Sequence, residues 1–61
     1  MVNLSEKELS SISDSLAEEE LLVKKYQMLA SQTSDTEIKN TFNEVADRHQ
    51  EHFNSLYSLL G

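Results

Sequence analysis

Two histidines one helical turn apart, His49 and His52, fall at positions where a helical repeat calls for apolar core residues. Folding the chain back on itself as a helical hairpin brings Glu19 opposite them. One carboxylate and two imidazoles in an otherwise apolar seam are costly to bury unless they pair with one another or bind a metal. Two chemistries therefore compete for the layer. In the first, Glu19 and the histidines satisfy each other and set the register of the helices. In the second, Glu19, His49 and His52 ligate a cation, and carboxylate with neutral imidazole suits zinc, iron or manganese. A third arrangement leaves His52 turned to the rim and solvated.

The surrounding acidic and aromatic residues are weaker candidates. Glu18-Glu19-Glu20 is contiguous in sequence, but a helix spreads three consecutive residues over about 200°. Glu18 is thus expected in solvent, and Glu20 at the boundary as a further ligand or as the i,i+4 ion partner of Lys24. Asp47 and Glu51 bracket the histidines but point elsewhere on the wheel. Tyr26 reads as core packing. No nucleophile stands beside a base at a fixed turn and no glycine loop could cradle phosphate, so the expectation is a protein that is not an enzyme unless a bound redox metal supplies the chemistry.

The elements that must position the layer are helices. Proline is absent and the one glycine is Gly61. Leu9, Ile12, Leu16, Glu19, Val23, Tyr26 and Ala30 follow a three-four spacing, widened by Leu22 and Leu29. A second stripe runs Ile38, Phe42, Val45, His49, His52, Leu56 and Leu59, flanked by Ala46, Phe53 and Leu60. Ser5-Glu6-Lys7-Glu8 has the form of a capping box, and Ser34-Asp35-Thr36-Glu37 repeats it. Between them Ser31-Gln32-Thr33-Ser34 favours a turn. These signals predict a single hairpin domain over 1–61, with helices at about 5–31 and 35–60 and a turn at about 32–34. A connection this short makes the helices antiparallel. Register across the turn then pairs Tyr26 with Phe42, Val23 with Val45, Glu19 with His49 and Leu16 with His52.

Sixty-one residues form a marginal domain, and chains of this size are commonly stabilised by disulfides, a metal or self-association. Cysteine is absent, which removes disulfides and thiolate zinc sites. Each apolar stripe is also wider than one partner helix can cover. The expectation is an all-α hairpin that homodimerises into a four-helix bundle. Eleven acidic against five basic residues give a net charge of −6, a surface that repels phosphate backbones and anionic lipid. Nucleic-acid binding and membrane insertion are not expected. Met1 to Glu6 lacks the basic and apolar parts of a secretory leader, so synthesis and retention in the cytoplasm are expected.

Helix 1, with Glu19, Leu22, Tyr26 and Ala30, resembles the first helix of rubrerythrin-like halves. Phe42, Val45, Ala46, His49 and His52 resemble their second helix, with His49 where those proteins carry the carboxylate of Glu-x-x-His. More of the chain resembles the spore coat protein F (coat F) family of endospore-forming bacteria. That likeness rests on Leu4-Ser5-Glu6-Lys7-Glu8-Leu9, Glu20-Leu21-Leu22-Val23-Lys24-Lys25-Tyr26, the Asp35 turn, and Ala46-x-x-His49-x-x-His52-Phe53. The resemblance implies a ferritin-like fold, a structural role in the spore coat, other coat proteins as partners and deposition in the coat after synthesis. Carried over residue by residue, the rubrerythrin-like likeness makes Glu19 a carboxylate ligand and His52 a histidine ligand.

Overall fold

A computed structural model describes residues 3–61 of the chain. The leader reading rested partly on Met1 and Val2, which lie outside the described residues. Two helices, α1 (Glu6–Gln32) and α2 (Thr36–Ser58), form an antiparallel hairpin with no strand among the described residues.

Local chemistry sets each boundary. At the start of α1, Ser5 Oγ accepts from the Glu8 backbone N–H at 3.1 Å, and Glu8 Oε1 accepts from the Ser5 N–H at 3.1 Å. The expected capping box is therefore formed, with Ser5 as the cap and Glu6 as the first helical residue. Hydrogen bonding from Ser5 to the carboxyl itself, from the backbone N–H first and the side chain second, holds the Glu8 carboxyl below its ordinary value by favouring its charged form.

The second start differs from expectation. Asp35, not Ser34, caps α2: its carboxylate accepts from the N–H groups of Glu37 and Ile38 at 3.0 and 3.1 Å. Thr33 Oγ1 in turn accepts from the Asp35 N–H at 3.2 Å. An acidic cap also complements the partial positive charge of the helix start, which a serine cannot do. The turn accordingly falls at Thr33–Asp35, one residue later than the sequence suggested, and α1 ends one residue later. At the far end α2 stops at Ser58 rather than near 60. There the Leu59 and Leu60 N–H groups close tightened bonds to the carbonyls of Leu56 and Tyr57, at 3.1 and 3.0 Å.

The helices meet along a seam in which small residues allow close approach. Ala46 and Ala30 are the most deeply buried residues, with Val23 and Ile12 at the same seam. Here the expected register needs rotation. Val45 was placed in the core with Ala46 beside it, whereas Ala46 is buried and Val45 only half-buried. The alanine has no bulk to hold the backbones apart, so it takes the line of closest approach. Tyr26 and Phe42 do meet across the seam, their ring centroids 5.9 Å apart. Leu9, Ile38 and Leu59, assigned to the stripes from sequence, are exposed. Leu9 and Ile38 lie near the starts of their helices and Leu59 just past the end of α2, where a single partner helix covers too little of the stripe.

The hairpin measures 46 × 16 × 10 Å. It is one helix thick, about the diameter of a helix with side chains. Its two broad faces are unlike. One presents Leu22 and Leu29 from α1 with Val45 and Leu56 from α2, all half-buried. The other carries exposed Glu20, Lys24 and Gln27 from α1 beside Gln50 and Asn43 from α2, around shallow grooves that Val23, Phe53 and Ala30 also line.

Candidate functional site

Glu19 is the central residue of α1, and His49 and His52 lie near the middle of α2. The antiparallel register carries them to the same height, as the sequence predicted. His49 Nδ1 lies 2.6 Å from Glu19 Oε1, a short hydrogen bond. His52 Nδ1 stands 3.2 Å from the other carboxylate oxygen, Oε2. One carboxylate thus serves two imidazoles, one through each oxygen.

Burial grades across the layer. The Glu19 side chain is 13% exposed, that of His49 23% and that of His52 62%. His52 therefore sits at the rim yet stays beside Glu19, combining two arrangements that the sequence left as alternatives. The stripe had paired His52 with Leu16. Instead His52 reaches back one helical turn to Glu19, where a charged oxygen offers a stronger interaction than an aliphatic surface.

Aromatic packing orients the rings. Tyr26 stacks on His49, with centroids 6.0 Å apart and planes 14° apart. His52 meets His49 edge-on at 5.7 Å and 82°. Tyr26 was read as core filling, but it forms the wall that holds the His49 imidazole flat. The signal was present in its position two helical turns after Glu19, which places it over the layer on the same face.

The remaining candidates do not join. Glu20 is exposed and holds Lys24 Nζ at 3.0 Å, the i,i+4 pair expected of it. Glu18, Asp47 and Glu51 are exposed. Among the described residues, Glu19, His49 and His52 form the cluster able to hold a metal, with one ligand atom from each within 4.8 Å of the others.

The donor set fits a borderline cation such as zinc. The detailed geometry constrains how. Two ligands on one tetrahedral ion with bonds near 2.0 Å stand about 3.3 Å apart. The His49–Glu19 contact of 2.6 Å is shorter than that. Hence Glu19 Oε1 and His49 Nδ1 cannot bind the same ion without breaking their hydrogen bond. An ionised carboxylate only accepts, so the hydrogen-bonded Nδ1 of His49 carries the proton and a neutral ring keeps its free lone pair on Nε2.

No family model, no curated protein and no solved structure matches this chain.

Proposed function

We propose that this chain is a non-enzymatic structural part that works by self-association: two hairpins pack face to face into a ferritin-like four-helix bundle. The observation that carries this reading is the uncovered apolar face. A domain ordinarily packs at least two layers around its core, and this chain supplies one. Its accessible surface is 4813 Å². A compact monomer of 7.0 kDa exposes roughly 4,000 Å². The excess is about the 800 Å² that each partner buries in a standard protein interface.

The likeness to coat F proteins gives the assembly a setting, with cytoplasmic synthesis followed by deposition among other proteins of the spore coat. Sedimentation equilibrium of untagged protein tests the bundle. A dimer at micromolar concentration supports it, and a folded monomer removes it. Immunogold label over the coat of spores supports the setting, whereas label confined to the vegetative cytoplasm removes it.

A second reading is a metal-binding ferritin-like protein, redox-active if the metal is iron or manganese. It is favoured by the convergence of Glu19, His49 and His52 within 4.8 Å. Elemental analysis of protein purified without a tag or added metal tests it. Near-stoichiometric zinc, iron or manganese supports the reading, and metal-free protein that fails to take up zinc on titration removes it.

A further inference from the structure

We infer that Glu19 orients the layer rather than ligating, and that His49 and His52 join the same residues of a second copy in one four-imidazole transition-metal site at the centre of the dimer. The inference rests on the bundle proposed above and adds to it a shared ligand set.

The first support is which atoms are already engaged. Both histidines turn Nδ1 towards the Glu19 carboxylate, at 2.6 and 3.2 Å. For His49, whose Nδ1 hydrogen-bonds Glu19 Oε1, this is the arrangement in which a histidine ligand donates its second N–H to a carboxylate, fixing the tautomer and raising the basicity of the free nitrogen; His52 Nδ1 stands within ion-pair distance of the other oxygen. The free nitrogens are then the two Nε2 atoms. His49 Nε2 has no hydrogen bond, and among the described residues no buried side-chain nitrogen or oxygen lacks a partner, so this atom is not fully enclosed. His52 is largely exposed.

The second support is incompleteness. A structural zinc site takes four ligands, and this hairpin offers two imidazoles one helical turn apart. Neither Glu18, Glu20, Asp47 nor Glu51 is placed to supply the rest.

The third is position. Both histidines lie on the apolar side of the hairpin, away from the Lys24 side, and Glu19 marks the midpoint of α1. Two copies that overlap fully along their length must bring their midpoints to the same height. This holds whether their turns lie at the same end or at opposite ends. A second copy covering the Leu22, Leu29, Val45 and Leu56 face therefore sets its own pair of imidazoles against the first. The metal becomes a clamp whose binding and the dimer's formation strengthen each other, as linkage requires.

The test is sedimentation equilibrium of untagged protein over a dilution series, in EDTA and then with zinc sulfate, for the wild type, His52→Ala and Glu19→Ala. X-ray absorption at the zinc edge counts the imidazoles. The expected result is a dimer in EDTA whose dissociation constant falls about tenfold or more with zinc, one zinc per two chains, and four imidazoles around it. His52→Ala, altering an exposed side chain, keeps the EDTA dimer and loses the zinc effect. Glu19→Ala weakens zinc binding about 10- to 100-fold, in the range of a lost orienting partner, yet leaves four imidazoles on the metal.

A wild-type dimer indifferent to zinc overturns the shared site and leaves the bundle standing. One zinc per chain, or an oxygen ligand that disappears in Glu19→Ala, overturns it in favour of a site within each hairpin. A monomer in both buffers overturns the bundle and the shared site together.

Discussion

The two broad faces of the hairpin are built from the same two helices, yet they are held to different standards. On the Lys24 face, Glu20 and Lys24 pair in solvent and Gln27, Asn43 and Gln50 line open grooves. Those polar side chains are met by solvent. On the opposite face, half-buried Leu22, Leu29, Val45 and Leu56 surround a polar layer in which the Glu19 carboxylate has an imidazole at each oxygen. The lesson is that solvent, not helix formation, separates the two. A charge in water costs little and gains little from pairing, whereas a charge beside apolar surface must be matched. The matched layer is accordingly found only on the face that a second copy is proposed to cover.

The sharpest way to break this contrast is to put an unmatched charge on each face. Leu22→Glu is expected to abolish dimer formation and to lower the thermal midpoint steeply, since a buried unpaired carboxylate costs several kcal/mol. Gln50→Glu on the other face should change stability by no more than about 0.5 kcal/mol. Sedimentation and thermal melts of the pair decide it; equal effects from both would show that the faces do not differ.

Overfilling the seam comes next. Ala46 is 2% exposed, and Ala46→Leu is expected to destabilise by about 1–3 kcal/mol through overpacking. A melt unchanged by that substitution would mean the helices are free to move apart. Replacing both partners of the hydrogen bond, Glu19→Leu together with His49→Leu, asks whether the polar layer stabilises or only specifies. In metal-free buffer it should be neutral or stabilising, because a packed hydrophobe often replaces a buried polar group without loss. A clear fall in melting temperature would instead make the Glu19–His49 hydrogen bond a net source of stability.

The smallest effect concerns the exposed start of α1. The Glu8 carboxyl is held below its ordinary value by its bonds to Ser5. Its contribution is therefore present above the unfolded value and is lost as pH falls through the lower, folded one. Glu8→Gln removes this dependence, so the stability difference from wild type should shrink on acidification below the usual carboxylate range. A difference constant down to that range would mean the capping box is not formed in solution.

Much of this was readable from residues in order. Ser5 with Glu8 announced the first helix, the polar run before Asp35 announced the turn, and the three-four spacing announced both stripes. The opposition of Glu19 and His49 followed from counting outward from a short connection, because helix rise per residue is fixed and register errors do not accumulate over so few turns. What counting could not give was rotation. Choosing Ala46 over Val45 for the line of contact depends on how closely two backbones can approach, a property of both helices at once. Asp35 displaced Ser34 as cap because two competing hydrogen-bonding residues stand side by side, and geometry alone chooses between them.

The sequence by itself determined that the chain is two helices and a turn, and that one carboxylate and two imidazoles share a layer. Periodicity and capping are local, and they fix such things without reference to anything distant. Only the tertiary structure decided which nitrogen of His49 faces Glu19, that His52 reaches the same carboxylate from the rim, and that Tyr26 is the wall behind them. Those outcomes turn on differences in contact distance between residues some thirty positions apart, and no spacing rule along one chain carries that information.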